Sequence, residues 1–118
     1  MKDPFHALES SSDWEAARAA SEETPVLIFK HSSACSVSAR AHDEMATLAT
    51  ETDLPVYKVV VQEARPVSNA IEAALDVRHE TPQAILLRDG RPTFHTSHFD
   101  VTAETLRDEL PNPSVSSD

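Results

Sequence analysis

The sequence predicts an α/β domain with a central mixed sheet of about four strands, flanked by helices and closed by a β-hairpin. Two continuous apolar runs, 25–30 (PVLIFK) and 55–61 (PVYKVVV), have the character of strands buried on both faces. Segments with apolar residues at helical spacing alternate with these runs, which predicts parallel pairing. In 83–98, the dipeptide Asp89-Gly90 separates two runs of strand character and predicts a hairpin with an antiparallel edge.

The predicted elements follow the order α-β-α-β-α-β-β-α. Ser12 and Glu15 have the spacing of a capping box, which predicts the start of the first helix. Pro66 suits the first turn of the third helix, and Thr102 is the predicted N-cap of the last helix. The predicted helices span about 12–22, 35–50, 65–77 and 101–110, and the first two strands span 25–30 and 55–61.

Length and composition predict a single domain, 1–118. A chain of 118 residues with 40% hydrophobic residues is long and apolar enough to bury a core. We expect the ordered core to cover about 8–110. The compositionally biased tail 111–118 (PNPSVSSD) is predicted to be disordered.

Charge and cysteine content limit the function classes. The net charge of −10 argues against nucleic acid and anionic membranes as partners, because both are polyanions. No apolar run approaches the roughly 20 residues of a membrane span, and the N-terminus lacks the apolar core of a secretory signal. One cysteine cannot form an internal disulfide, so a cytoplasmic location is expected. The six histidines show no metal-ligand spacing, and no metal site is predicted.

The stretch 29–41 (FKHSSACSVSARA) places that single cysteine, Cys35, where a predicted strand ends and a helix begins. The first N–H groups of a helix have no internal partner and carry a partial positive charge, so a thiolate there can accept them. Such positions, helped by nearby Lys or His⁺, lower a cysteine pKa from about 8.5 to roughly 3.5–7.5. Lys30 and His31 are expected to lend this positive charge. The position therefore predicts a nucleophilic thiol.

The alternative reading of Cys35 is a small apolar side chain that fills a gap in the core, since free cysteine is among the most buried residue types. Three polar neighbours argue against it, because they place the thiol outside an apolar stripe. These neighbours are Ser33, Ser36 and Ser38.

The dipeptide Thr81-Pro82 precedes the first strand of the predicted hairpin. The cis form is accessible for an X–Pro bond, and a cis proline here would leave the backbone groups of Thr81 available to an extended ligand. A trans proline that only begins an edge strand is the alternative.

A thiol at a strand-to-helix junction, followed by β-α and by Thr-Pro before a hairpin and a last helix, resembles the thioredoxin fold. The stretches 29–41 and 77–98 (VRHETPQAILLRDGRPTFHTSH) further resemble the monothiol bacilliredoxins, small YtxJ-like proteins of the bacillithiol system. That family typically has Lys-His-Ser, then Cys-Pro-Ile-Ser, and later His-Glu-Ser-Pro-Gln. The resemblance covers roughly 8–110. Ser36 stands where the family often has proline, which is expected to relax the loop around the thiol.

The resemblance implies a thiol–disulfide oxidoreductase that removes bacillithiol from S-bacillithiolated client proteins. One thiol can take part only in one-step exchange, so the small thiol would move onto the nucleophile and a second low-molecular-weight thiol or a reductase would release it. Bacillithiol is the implied co-substrate, no cofactor is implied, and a monomer is expected. The implied nucleophile is Cys35, and the implied thiol-binding residues are Lys30, His31, Ser38, Thr81 and Pro82.

Individual roles also follow from the resemblance. Ser38 is expected to donate a hydrogen bond to the thiolate, and Thr81 to pair with the backbone of the bound thiol. His79 is either a charge partner near the thiol or a residue of a surface loop.

Two other functions stay open on the sequence alone. One is a thioredoxin-like binding or adaptor module in which Cys35 has no catalytic part. The other is an iron–sulfur carrier like the monothiol glutaredoxins, in which glycine usually follows the cysteine. Ser36 argues against the carrier.

Overall fold

The computed structural model of the chain describes residues 4–110. Five strands form one mixed sheet in the order β1-β3-β2-β4-β5. A 3-10 turn, His98–Asp100, connects the last strand to the last helix. The elements in chain order are β1 (His6–Ala7), α1 (Ser11–Ala20), β2 (Val26–His31), α2 (Ser36–Glu51), β3 (Val56–Val60), α3 (Arg65–Leu75), β4 (Gln83–Arg88), β5 (Arg91–Ser97) and α4 (Ala103–Glu109).

Strand β2 lies in the middle of the sheet. It pairs in parallel with β3 and antiparallel with β4, and β4 and β5 form the predicted hairpin. The predicted mixed sheet is therefore confirmed. Val26 to Lys30 of the apolar run that predicted this strand are buried because helices cover both faces.

Successive β2 side chains enter two different cores, because strand side chains alternate between the faces of a sheet. Ile28 packs in the core that α1 and α3 cover, and Phe29 packs in the core that α2 and α4 cover. We call these the α1–α3 core and the α2–α4 core. Among the helices within residues 4–110, none has the length and apolar character needed to cross a membrane.

Strand β1 is the fifth strand and was not predicted. His6 and Ala7 pair in parallel with β3, and both side chains are exposed. Two residues are too few to show the alternation that marks a strand. The flanking Phe5 and Leu8 are buried in the α2–α4 core and the α1–α3 core respectively, so the chain is anchored on both sides of β1.

The first helix begins earlier than the sequence predicted. Ser10, not Ser12, is the N-cap, with its Oγ accepting the N–H of Asp13 at 3.2 Å. The Asp13 carboxylate in turn accepts the N–H groups of Ser10 at 3.2 Å and Glu9 at 2.9 Å. The predicted box of Ser12 and Glu15 is therefore wrong. The capping box forms between Ser10 and Asp13 instead, because Ser10 has the extended backbone of an N-cap.

Other local predictions are confirmed. Asp89 and Gly90 have φ of 56° and 75°, as a tight hairpin turn requires, and Ser21 accepts both of their N–H groups at 2.8 Å. Pro66 lies in the first turn of α3, and Thr102 caps α4. The predicted disorder of 111–118 concerns residues outside the described range.

Replacing Ser10 by alanine should lower the free energy of unfolding by about 1 kcal/mol, because the Asp13 N–H loses its acceptor. Ser12→Ala is the matched control. At this helix start the exposed Ser12 hydroxyl bonds to the Ser10 hydroxyl and caps no backbone N–H, so its loss should cost under about 0.5 kcal/mol. Urea unfolding of both variants measures the difference. A larger loss for Ser12→Ala would show that the cap is misassigned.

Candidate active site

Two loops meet at one end of the sheet. Lys30 near the end of β2 is the cross-strand partner of Gln83, the first residue of β4. Residues 32–35, which we call the thiol loop, follow β2 directly. Residues 78–82, which we call the proline loop, directly precede β4. Because β2 and β4 are antiparallel neighbours, Cys35 and Pro82 lie at the same end of the sheet.

Cys35 is the N-cap of α2, at the junction that the sequence predicted. Its backbone is extended, with φ of −116° and ψ of 129°, and its carbonyl accepts the N–H of Ala39 at 3.0 Å. The thiol is free and partly exposed. Within the described chain, the sulfur accepts no hydrogen bond from the helix N–H groups. The expected N–H bonds to sulfur are therefore not formed in this arrangement.

Ser38, three residues after Cys35, is completely buried. Its Oγ accepts the N–H of Ser32 at 2.8 Å and lies 3.0 Å from Nδ1 of His31. Ser38, which belongs to α2, thus connects this helix to the last residue of β2 and to the first residue of the thiol loop. We call His31, Ser32 and Ser38 the thiol-loop network. The predicted hydrogen bond from Ser38 to the thiolate stays a prediction, and it requires the tautomer in which His31 Nδ1 donates to Ser38.

His31 points into the α2–α4 side of the sheet, among other basic groups. Its ring centroid lies 4.8 Å from that of His42, whose Nε2 accepts a hydrogen bond from Lys58 Nζ at 3.1 Å. Burial, followed by the nearby His42 and Lys58, lowers the pKa of His31 to about 4. His31 is therefore neutral at neutral pH. The expectation that it lends positive charge to the thiol is wrong, because burial beside other basic groups disfavours the imidazolium.

Lys30 points the opposite way, into the α3 side of the sheet. It is completely buried, and its Nζ donates to the Ser68 carbonyl at 3.3 Å and to Nδ1 of His79 at 3.1 Å. Burial lowers its pKa to about 8, against the opposing effect of Glu72. Because Ser68 belongs to α3, the Lys30 amine lies on the opposite face of the sheet from α2, the helix whose N-cap is Cys35. It does not supply the expected charge on the thiol face.

The proline loop carries the predicted Thr81-Pro82 dipeptide, and its peptide bond is cis. The Pro82 carbonyl accepts the N–H of His98 at 2.8 Å. The His98 imidazole lies 3.0 Å from the Glu80 carboxylate. These contacts attach the 3-10 turn to the proline loop. Phe99 in this turn is 74% exposed, the highest value for a large apolar side chain in the described part of the chain.

His79 lies in the loop before β4, as one of the two alternatives from the sequence had it, and is half-buried. Its ring is held there, because its Nδ1 lies within 3.1 Å of both Lys30 Nζ and Ser68 Oγ. Its backbone N–H donates to the Glu72 carboxylate at 2.8 Å. Within residues 4–110, no group of three or more His, Cys, Asp or Glu side chains is arranged to hold a metal ion.

Sequence reasoning did not single out three polar residues that lie around Lys30 and His31, namely Ser68, His42 and Lys58. Ser68 and His42 each lie three residues before a buried helix residue, Ile71 and Met45, and therefore interrupt apolar stripes. Lys58 interrupts the apolar run of β3. The available signal was a polar residue within an otherwise apolar pattern, because a buried polar side chain needs a hydrogen-bond partner.

The lowered pKa of His31 predicts a pH dependence of stability. The folded chain binds this proton less readily than the unfolded chain, so the stabilisation is fully present above about 6.5 and is lost as the pH falls through about 4. His31→Asn keeps a polar atom near the position of Nδ1 but does not titrate. The free energy of unfolding of the wild type, relative to this variant, should therefore fall across that range. A constant difference in urea unfolding at each pH would contradict the prediction.

Comparisons with known proteins identify the family and the fold of this chain. The family model for monothiol bacilliredoxin BrxC matches residues 6–106. A solved structure described as a proposed oxidoreductase with a thioredoxin fold is 30% identical, with a TM-score of 0.80, and the match covers 88% of this chain and 91% of that chain.

Thioredoxins share the fold at lower identity. A single-residue variant of thioredoxin from Halobacterium salinarum is 18% identical, with a TM-score of 0.74 and coverage of 93% of this chain and 92% of that chain. Thioredoxin from Trypanosoma brucei brucei is 16% identical, with a TM-score of 0.74 and coverage of 97% and 92%. The predicted thioredoxin-like fold is confirmed, and the chain belongs to the monothiol bacilliredoxin BrxC family.

Proposed function

We propose that this chain removes bacillithiol from S-bacillithiolated proteins through a mixed disulfide on Cys35. The family and the fold indicate a thiol redox role. The observation that carries the proposal is the free, partly exposed thiol of Cys35, held at the start of α2 at the same end of the sheet as Pro82. An enzyme that exchanges disulfides needs a thiol that a client can reach and a surface beside it that can bind the small thiol.

In the first step, the Cys35 thiolate attacks the bacillithiol sulfur of the client's mixed disulfide. A bond forms between Cys35 Sγ and that sulfur while the bond between the client sulfur and the bacillithiol sulfur breaks. The client cysteine leaves as a thiolate and takes up a proton from water. The client is reduced, and Cys35 is oxidised to a mixed disulfide.

In the second step, a bacillithiol thiolate attacks the bacillithiol sulfur held on Cys35. Bacillithiol disulfide forms, and Cys35 leaves as the thiolate. This chain contains no second thiol that could attack from within, because Cys35 is its only cysteine and the third residue after it is Ser38. A dithiol reductase can replace the small thiol in this step. Bacillithiol is thus a co-substrate, and the exchange needs no further cofactor.

The two loops have separate roles in this proposal. The thiol-loop network positions Cys35, with His31 as a neutral hydrogen-bonding group. In the proline loop, the backbone of Thr81 pairs with the bound thiol and Pro82 forms the adjacent surface. A monomer suffices, because all of these residues come from one chain. We assign the reaction to the cytoplasm, where reducing thiols keep a single cysteine free.

Mass spectrometry of the intact protein tests the proposal. The reduced protein, mixed with a client carrying bacillithiol in a disulfide, should gain the mass of one bacillithiol on Cys35 while an equal amount of client thiol is released. Cys35→Ser should gain none, because a hydroxyl does not exchange with a disulfide. The client released should therefore stay at the uncatalysed level in that variant.

Two outcomes would overturn the proposal. One is the absence of an adduct under conditions in which a dithiol relative removes bacillithiol from the same client. The other is equal binding of the client by the wild type and Cys35→Ser without any release, which would favour the binding module.

A further inference from the structure

Arg78 and His79, at the start of the proline loop, are bound by side chains from outside the loop. These side chains come from three different elements, β2, α3 and β4. Lys30 and Ser68 contact the His79 ring, Glu72 binds the His79 backbone N–H, and Gln83 Nε2 donates to the Arg78 carbonyl at 2.8 Å. We call Lys30, Ser68, Glu72 and His79 the proline-loop network.

The hydrogen bond between Lys30 and His79 fixes the protonation of the imidazole. An ammonium group can only donate, so Nδ1 of His79 must be the acceptor. The single ring proton of the neutral form is therefore on Nε2. A second proton could enter only at Nδ1, where it would face the Lys30 ammonium at 3.1 Å. The contact therefore exists only while His79 is neutral.

Burial makes this contact difficult to replace. Lys30 and Ser68 are both completely buried, so the Lys30 ammonium has few other acceptors within reach. Gln83, its cross-strand partner on the same face of the sheet, has a buried Oε1 for which the described residues supply no hydrogen-bond donor. The Gln83 Oε1 is therefore a spare acceptor beside the Lys30 ammonium, and Ser68 Oγ is the one other side-chain atom that the structure places against His79 Nδ1.

We propose that Lys30 and His79 are positioning residues of the exchange reaction: they hold the proline loop where Thr81 and Pro82 receive the small thiol, and protonation of His79 releases the loop. The proposal rests on the function proposed above. It gives Lys30 a part in the reaction although its amine lies across the sheet from α2. It also explains why a lysine stands at the end of the most buried strand.

The groups around His79 agree with a network that is closed at neutral pH. Lys30 faces it from β2, Glu72 and Arg65 from α3, and Glu80 from its own loop. Burial, followed by Lys30, lowers the pKa of His79, and the two carboxylates only partly oppose this effect. The neutral imidazole is therefore favoured at neutral pH, and its protonation needs a more acidic pH than that of an ordinary histidine.

The first experiment distinguishes an effect of Lys30 on the proline loop from an effect on the thiol loop. Lys30→Met keeps the apolar stem but removes the donor, so exchange with a bacillithiolated peptide should fall about tenfold, because small misplacements of a binding surface cost that much or more. Alkylation of Cys35 by iodoacetamide needs no proline loop and should change less than about twofold. Equal exchange rates for Lys30→Met and wild type would overturn the proposal. A thermal unfolding curve establishes that the variant is folded.

The second experiment uses pH and does not depend on the fate of Lys30→Met. His79→Asn keeps an acceptor near Nδ1 but cannot be protonated, so at neutral pH its exchange rate should stay within about twofold of wild type. The ratio of wild-type to variant rates cancels the titration of Cys35 itself. As the pH is lowered from neutral, this ratio should fall by about fivefold or more once His79 has taken up its proton. His95→Asn, at an exposed site on β5, is the matched control and should give a constant ratio.

A flat ratio for His79→Asn would overturn the proposed release by protonation. Failure of the proposed function is a separate outcome, since the wild type itself would then form no bacillithiol adduct at any pH. Exchange that proceeds in the wild type but ignores both substitutions would leave the function intact and reject the positioning role.

Discussion

The arrangement depends on the alternation of side chains at the end of one central strand. Lys30 and His31 are consecutive residues of β2, so their side chains enter opposite faces of the sheet. His31 bonds to Ser38 on one face and so holds the thiol loop, and Lys30 bonds to His79 on the other face and so holds the proline loop. Two loops far apart in sequence are thereby fixed to neighbouring peptide units of the most buried strand.

This arrangement costs stability. Both residues lie where an apolar side chain would avoid desolvation, and burial lowers the pKa of each. The rest of β2 offsets this cost, because its four preceding residues are fully buried apolar side chains packed in both cores. Buried polar residues are expected at functional sites, because there the position of a side chain or loop matters more than the most favourable packing. The polar C-terminal end of β2 is consistent with that view.

The sequence predicted what local patterns determine. The Asp89-Gly90 turn, the cap at Thr102 and the position of Cys35 at a strand-to-helix junction each depend on a few adjacent residues. The charge expected from Lys30 beside the thiol was wrong because the partners of its amine are non-local: Ser68 and His79 follow Lys30 by 38 and 49 residues. No pattern within one element specifies such a partner. The motif resemblance correctly identified the family, but it grouped Lys30 with the thiol.

The crystal structure of the protein carrying bacillithiol on Cys35 tests this account most directly. We expect the bacillithiol group between the thiol loop and Pro82, with the hydrogen bonds from Lys30 to His79 and between His31 and Ser38 both retained. A bacillithiol group bound away from Pro82, or a proline loop in the same place with the Lys30–His79 bond broken, would contradict it.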